Sequence, residues 1–284
     1  MGAPNDAVRS PSRARVRLGE SVISNQSGLD VTVAEADTRF GVGPFTVDDL
    51  SYSEVVGAAA KLAAGDRGGP VRAYALHVGG LNHRQNADFV DEMQAAELVY
   101  ADGGSIVLLA KLAGARCVQR APTTDLGWDV LRAVGQRLGR PARLALIGGP
   151  PGLSNRAGAA LEAGAAGTVV FESDGFQDDW EPVLDSLVAA NADVCLVGMG
   201  APREMLWVRT WFHRLPRTLL LTCGGWFGFL AGDERRAGPL LRRSGLEWIA
   251  RVAQSPRRLG SRYARGAVST GVVAAQMLGE RWRR

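Results

Sequence analysis

The sequence predicts an α/β protein: a Rossmann-like parallel sheet flanked by helices and followed by an arginine-rich helical C-terminal appendage. Apolar, β-branched runs alternate with longer stretches of helical periodicity, which is typical of βαβ units. Several predicted strands end in pairs of glycines. After Gly232 the pattern changes to arginine-rich helices, and no further strand is predicted. With 284 residues, 46% of them hydrophobic, the chain can bury a substantial core.

This pattern divides the chain into three parts. Residues 1–40 are predicted to form a disordered or irregular N-terminal arm, because residues 1–19 are rich in Arg, Ser and Pro and lack the apolar segment of a signal peptide. Residues 41–232 would form the parallel α/β domain, and residues 233–284 the basic appendage. The uncharged run 266–279 is shorter than the roughly 20 residues that a membrane span requires. Three widely spaced cysteines indicate reduced thiols and a cytoplasmic protein.

The elements expected in the α/β domain alternate along the chain. A first helix is expected to begin at Ser51, since Ser51 and Glu54 have the spacing of a capping box ahead of apolar residues. The expected strands occupy residues 74–78, 98–101, 143–147, 168–171, 194–197 and 218–222. The expected later helices occupy residues 84–96, 105–112, 126–138, 153–163, 180–190 and 204–213.

The glycine-rich turns after the strands are where function is expected. In open α/β sheets, ligands bind beyond the carboxyl ends of the strands. Glycine lets the backbone approach a phosphate there, and helix N termini favour negative charge. Four such turns follow predicted strands, namely Gly79-Gly80, Asp102-Gly103-Gly104, Gly148-Gly149 and Gly224-Gly225.

Asp102 is the candidate catalytic residue. It is a polar side chain placed between an apolar strand and a helix, where a carboxylate can take the proton of an attacking hydroxyl as a general base. The alternative is a structural role as a helix N-cap or in an Asx turn, which is the commoner reason for aspartate at such a position.

Two further turns carry candidate ligand contacts. Arg120 precedes Thr124 and Asp125, either of which could cap the next helix while the arginine faces a phosphate. The turn at residues 148–152 suits a diphosphate. It lacks the dinucleotide fingerprint and the phosphate-loop lysine, so it is a weak signal alone.

The turns after the next two strands are similar. Asp174 begins one of them, and Gly198 to Gly200 leads to Arg203 and Glu204 at a helix N terminus that would face the cleft. Trp207 lies on that helix, and packing within the core is preferred to base stacking as its role.

The C-terminal stretch is strongly basic. Nine arginines lie between residues 235 and 265, against one acid, Glu247, which points to an anionic partner. Phospholipid headgroups or a diphosphate-linked acceptor are favoured over nucleic acid, because no zinc-finger spacing and no aromatic RNA-binding signature is present. The alternative is that the arginines reflect genomic base composition.

In this order the motifs resemble the WecG/TagA/CpsF family of bacterial glycosyltransferases. The resemblance covers roughly residues 45–263. It rests on Asn82, Ala101-Asp102-Gly103, Arg120-Ala121-Pro122-Thr123-Thr124-Asp125, Asp174-Gly175-Phe176, Gly198-Met199-Gly200-Ala201-Pro202-Arg203, Gly224-Gly225-Trp226-Phe227, Phe229-Leu230-Ala231-Gly232, Arg236-Ala237, Gly245-Leu246-Glu247-Trp248, Arg251, Gln254, Pro256 and Arg257.

The resemblance implies an inverting, metal-independent transfer of an N-acetylmannosamine-type or related sugar from UDP to an undecaprenyl-diphosphate-linked acceptor, in cell-surface polysaccharide synthesis. Asp102 matches the proposed catalytic base of the family. The implied substrate-binding residues are Asn82, Gly103, Arg120, Thr124, Asp125, Gly149, Asp174, Gly200, Arg203, Glu204 and Gly225. Arg236, Arg251 and Arg257 of the appendage would meet the membrane or the acceptor diphosphate.

The expected partners are a UDP-sugar, a polyprenyl-diphosphate-linked saccharide and an anionic membrane surface, but no nucleic acid. Whether the chain forms a homo-oligomer is left open. The expected location is cytoplasmic, peripheral on the inner face of the plasma membrane. No metal or other cofactor is expected, because the sequence has no Asp-x-Asp pair, and His77, His83 and His213 form no ligand cluster. Arginines and helix dipoles would then stabilise the leaving diphosphate.

The chain also departs from the family pattern in its predicted cleft. Gly80 replaces a threonine, Arg203-Glu204-Met205 replaces Lys-Gln-Glu, and Gly228 replaces the aspartate of Phe-Asp-Phe. These changes remove hydrogen-bonding groups that could select the sugar. They motivate an alternative function as a non-catalytic sugar-nucleotide-binding component of a polysaccharide assembly complex. A dehydrogenase is disfavoured, since the dinucleotide fingerprint is absent.

Overall fold

The fold is built on one parallel β-sheet and a small hairpin. The computed structural model describes residues 39–66, 68–234, 238, 252 and 256–283. The strands are β1 (Arg39–Val42), β2 (Phe45–Asp48), β3 (Val71–Leu76), β4 (Leu98–Ala101), β5 (Arg143–Gly148), β6 (Thr168–Ser173), β7 (Val194–Gly198) and β8 (Leu219–Thr222). Strands β3 to β8 form a parallel sheet in the order β4-β3-β8-β7-β5-β6, and β1 pairs with β2 in an antiparallel hairpin. The α/β fold class is therefore confirmed.

Helices cover both faces of the sheet. They are α1 (Tyr52–Ala64), α2 (Val78–Leu81), α3 (Ala87–Gln94), α4 (Gly104–Ala113), α5 (Thr123–Leu138), α6 (Leu153–Ala163), α7 (Glu181–Ala190), α8 (Arg203–Trp211), α9 (Trp226–Leu230) and α10 (Pro256–Trp282). One face packs against α3, α4, α7, α8, α10 and the hairpin, and the other against α1, α5, α6 and α9. None of the helices in the described ranges is both long enough and apolar enough to cross a membrane.

The strand order creates a crevice at the carboxyl edge of the sheet. Strands β3 and β8 are neighbours, but the helices that follow them leave in opposite directions. Helices α2 and α3 follow β3 onto one face, whereas α9 follows β8 onto the other. Such a divergence opens a space beyond the strand ends, which is where open α/β sheets bind ligands.

Most predicted elements lie within a few residues of their observed positions. The capping box is confirmed: the Ser51 hydroxyl accepts a hydrogen bond from the backbone of Glu54, and the Glu54 carboxylate accepts one from the backbone of Ser51. Among the strands, β3 differs most from its predicted bounds, because it ends at Leu76 and His77 then caps α2.

The expected turn at Gly79-Gly80 is wrong, because both glycines lie in α2 and are buried. A β-carbon at Gly79 would overlap the guanidinium of Arg262, and one at Gly80 would lie 3.2 Å from Cδ1 of Leu76. These glycines therefore allow close packing between segments of the chain.

The β1–β2 hairpin was not predicted. It buries Val42, Phe45 and Val47 in the core beside α3 and α4. Residues 1–38, and hence nearly all of the predicted arm, lie outside the described residues. Strand β1 begins at Arg39, so it crosses the predicted boundary at residue 40. The three-part division of the chain otherwise stays a prediction.

Helix α10 confirms that the C-terminal appendage contains a helix, and it packs closely on α2. Gly266 faces Val78, and a β-carbon at Gly266 would overlap the Val78 side chain. Ser269 donates a hydrogen bond to Oδ1 of Asn82 (3.0 Å), and Nδ2 of Asn82 donates to the carbonyl of Arg262 (3.1 Å). The side-chain amide of Asn82 and the hydroxyl of Ser269 thus fix the helix at the distance that Gly266 permits.

We predict that Gly266→Ala weakens the docking of α10. Overpacking of this kind costs about 1–3 kcal/mol. The matched control is Gly271→Ala in the same helix, where a β-carbon meets no atom within 4 Å. Alanine should be neutral or stabilising there by up to about 1 kcal/mol. Urea unfolding and hydrogen exchange of the α10 amides measure both effects, and equal stability of the two variants would contradict this packing.

Candidate active site

A cavity of about 520 Å³ lies beyond the carboxyl ends of β3, β4, β7 and β8. Helix α10 supplies part of its wall through Arg262, Tyr263, Ala267 and Thr270. The cavity brings together part of the predicted site, namely Asp102, Gly103, Arg120, Thr124, Gly200, Glu204 and Gly225. Residues that come from separate stretches of sequence therefore line one cavity.

Asp102 lies at the cavity where β4 ends. Its backbone amide donates to the carbonyl of Leu76 (3.0 Å), which continues the pairing of β3 with β4 by one residue. Helix α4 has Gly103, not Asp102, as its N-cap. The N-cap alternative is therefore wrong for this side chain, and its place beside the cavity is compatible with a general base.

Glu204 is buried and connects two turns of the cavity wall. Its Oε2 accepts hydrogen bonds from the backbone amides of Met199 (3.3 Å), Gly200 (2.9 Å) and Gly224 (3.0 Å). The φ angles of Gly200 and Gly224 are +78° and +53°, which residues with a β-carbon rarely adopt. One carboxylate oxygen thus joins the two turns through their backbone amides.

Burial raises the pKa of Glu204 to about 7. The hydrogen bonds from the three backbone amides and the positive charge of Arg262 oppose this increase, because they favour the ionised form. The loss of hydration outweighs them. The negative charges of Asp102 and Glu204 both act on the side chain of Tyr100, and that of Glu204 also acts on Cys223.

His77 and Arg262 were missed as cavity residues. Nδ1 of His77 accepts a hydrogen bond from the backbone of Gly80 (3.1 Å). Nη2 of Arg262 lies 3.5 Å from Nε2 of His77. His77 showed no ligand spacing in the sequence, and Arg262 lies about 180 residues away along the chain. Only the packing of α10 on α2 joins them.

Several predicted substrate contacts do not line the cavity, namely Asn82, Asp125, Gly149, Asp174 and Arg203. Asn82 instead joins α2 to α10, as described above. Asp174 accepts a hydrogen bond from the backbone of Phe176 (2.8 Å), and Arg203 donates to the carbonyl of Gly175 and stacks on Phe176. Their roles in substrate binding stay predictions.

The expected cap of helix α5 is wrong. The helix begins at Thr123 after Pro122, so neither Thr124 nor Asp125 is its N-cap. Proline suits this place because its φ is already fixed near the required value. The hydroxyl of Thr123 pairs with that of Tyr100 at 2.9 Å.

Arg236 and Arg251 lie outside the described residues, as does the side chain of Arg257.

A carboxylate occupies the space beside Gly228, where the sequence lacks the aspartate of the family pattern. A β-carbon at Gly228 would lie 3.5 Å from Cδ of Glu234. The backbone amide of Glu234 also donates to the carbonyl of Gly228 (3.0 Å).

The interpretation of Trp207 as a core residue is confirmed, since it is buried and its ring packs edge-on against Trp180.

An open parallel sheet with a cavity beyond its strand ends is the arrangement in which α/β proteins bind ligands at this edge. Two carboxylates, Asp102 and Glu204, and two arginines, Arg120 and Arg262, line that cavity. The sequence model of the glycosyl transferase WecG/TagA/CpsF family matches residues 40–284. The match covers most of the chain, which therefore belongs to this family of glycosyltransferases, and the resemblance seen in the motifs is confirmed.

The described part of the chain contains no group of three or more His, Cys, Asp or Glu side chains that could hold a metal ion. The expectation of a reaction without metal or other cofactor stays a prediction.

We predict that Glu204 makes the folded protein less stable as pH rises. Its pKa is about 7 in the folded chain and about 4.5 when exposed, so the folded state binds more protons between these values. Stability should fall across that interval and level off above it, by about 3 kcal/mol in all. Glu204→Gln should lack this component.

Urea unfolding at pH 5, 6, 7 and 8 measures the contribution of Glu204 as the difference in the free energy of unfolding between the wild type and Glu204→Gln. Glu280→Gln, on the exposed surface of α10, is the control and should keep the wild-type profile. Parallel profiles for wild type and Glu204→Gln would show that Glu204 stays ionised throughout.

Proposed function

We propose that this chain transfers a sugar of the N-acetylmannosamine type, or a related one, from UDP to an undecaprenyl-diphosphate-linked acceptor, with inversion and without a metal ion. The observation that carries the proposal is that Asp102, Arg120 and Arg262 line one cavity. A base and two fixed positive charges are what such a reaction needs. The cavity volume is also within the range of small-molecule sites.

In the proposed reaction, the acceptor hydroxyl attacks the anomeric carbon from the side opposite the diphosphate. Asp102 takes the hydroxyl proton as the new carbon–oxygen bond forms. The bond from the anomeric carbon to the β-phosphate oxygen breaks, and UDP leaves with the electron pair. Arg120 and Arg262 would stabilise the negative charge that develops on that oxygen.

The outer surface of α10 supports the proposal that the protein acts at the inner face of the plasma membrane. Val268, Ala275 and Trp282 are spaced by seven residues, so they share one face of the helix, and Leu278 lies beside them. This face is exposed, and the Trp282 side chain is 89% accessible. Arg265 of this helix and Arg283, directly after it, are also exposed. Apolar and basic groups together suit an anionic lipid surface and a lipid-linked acceptor.

A second candidate is a sugar-nucleotide-binding component without transfer activity. It is favoured by position 80, where Gly80 supplies no hydroxyl and a β-carbon would already press on Leu76. The two candidates share the donor site and differ only in turnover, so a measurement of transfer separates them.

We expect Asp102→Asn to lower transfer from a UDP-sugar to a prenyl-diphosphate-linked acceptor by at least a hundredfold, since a positioned base contributes about 10²–10⁴-fold. Binding of the UDP-sugar should stay within a few-fold. The readouts are product formation by mass spectrometry and donor affinity by calorimetry. Asp66→Asn, on an exposed residue between α1 and β3 at the opposite edge of the sheet, is the matched control. Full turnover by Asp102→Asn would remove Asp102 from this role.

We expect Trp282→Ala to reduce sedimentation with vesicles that contain anionic phospholipid several-fold, because the exposed ring is the largest apolar group on that face. Wild-type binding should weaken as salt rises. Val188→Ser changes an exposed apolar residue on α7 and should bind as the wild type does. Identical sedimentation of Trp282→Ala and wild type would argue against membrane contact through α10.

A further inference from the structure

The guanidinium of Arg262 lies directly against Gly79. A β-carbon at Gly79 would lie 2.6 Å from Nε and 2.8 Å from Cζ of Arg262, which is closer than β-carbons approach other atoms in real structures. Gly79 is buried in α2, and its φ is not in the left-handed region, so the backbone conformation does not require glycine there. The absence of a side chain is therefore matched to the arginine that packs on it.

The same segment of chain contacts Arg262 at two more points. Nη2 of Arg262 lies 3.5 Å from Nε2 of His77, and the His77 ring is fixed because its Nδ1 accepts a hydrogen bond from the backbone of Gly80 (3.1 Å). At the other end of the arginine, Nδ2 of Asn82 donates to the carbonyl of Arg262 (3.1 Å). Both the side chain and the backbone of Arg262 are thus held from α2 and the residues that flank it.

Arg262 reaches the cavity, whereas Asn82 does not. Arg262 lines the cavity, and its positive charge acts on Glu204 in the cavity wall. Asn82 does not line the cavity, and both ends of its amide are engaged, since Oδ1 accepts a hydrogen bond from Ser269 (3.0 Å) while Nδ2 donates to Arg262. Asn82 can therefore influence a ligand in the cavity through the arginine that it holds.

Holding an arginine in advance has a value for binding and catalysis. A long side chain that is ordered only when a ligand binds loses conformational entropy at that step, which weakens the binding. A positive charge that is already directed at its target also stabilises developing negative charge without reorganisation during the reaction. The contacts with Gly79, His77 and Asn82 order Arg262 when the chain folds.

We propose that Gly79 and Asn82 are positioning residues, which hold Arg262 in the place where it binds the diphosphate of the donor substrate. This inference rests on the proposed function, in which Arg262 stabilises the leaving diphosphate, and it adds the part of the fold that places the arginine. It also assigns Asn82 an effect through Arg262 in place of a direct contact with the substrate.

Two variants disturb the arginine from different sides. Gly79→Ala should displace the guanidinium and leave the helix in place, because the atoms that the new methyl group meets belong to the end of a flexible side chain. Asn82→Ala removes the hydrogen bond to the carbonyl of Arg262. The matched control is Gly57→Ala in α1, where a β-carbon meets no atom within 4 Å and which does not line the cavity.

The experiment is a double-mutant cycle in which each variant is made in the wild-type chain and in Arg262→Ala. Calorimetry measures the affinity for UDP, and urea unfolding verifies that each variant is folded. Arg262→Ala should weaken UDP binding at least about tenfold, Gly79→Ala and Asn82→Ala about threefold to tenfold, and Gly57→Ala less than about twofold. In the Arg262→Ala chain, Gly79→Ala and Asn82→Ala should each change the affinity less than about twofold, because the residue that they position is gone.

Two results would overturn the inference while the proposed function stands. In the first, Gly79→Ala and Asn82→Ala weaken UDP binding as much without Arg262 as with it, which would show that they act directly or by general damage to the site. In the second, both variants bind UDP as tightly as the wild type does, which would show that the position of Arg262 does not depend on them. If the wild type itself binds no UDP, the proposed function fails and the inference fails with it.

Discussion

The shape of the cavity depends on the buried carboxylate of Glu204. The turns after β7 and β8 contain Gly200 and Gly224 at positive φ, and these glycines have no side chains with which to fix the turns. A single oxygen of Glu204 joins them through three backbone amides. Burial in this position removes the hydration of the Glu204 carboxylate, which explains why its pKa rises to about 7 despite these hydrogen bonds.

The C-terminal helix is the second determinant of the site. Its close approach to α2 depends on Gly266 and on the hydrogen bonds of Asn82, and it brings Arg262 to the cavity wall. The same helix exposes an apolar face to the outside. In the proposed function one element would therefore connect the reacting groups with the lipid that carries the acceptor.

Local sequence signals predicted the sheet well, because apolar runs and the capping box at Ser51 are properties of neighbouring residues. They placed Asp102 beside the cavity for the same reason. They missed contacts made over long distances in sequence, such as that of Arg262 with His77. Gly79 was misinterpreted because a phosphate-binding turn and a close helix contact both require glycine. The β1–β2 hairpin could have been recognised from the alternation of apolar residues around Gly43-Pro44.

The central claim is that sugar transfer takes place in the cavity where β4 ends. The most direct test is an experimental structure of the full chain with a bound, non-reacting UDP-sugar analogue. The account predicts the anomeric carbon beside Asp102 and the diphosphate between Arg120 and Arg262. A ligand bound instead at the turns that contain Gly149 and Phe176, with the cavity empty, would contradict it.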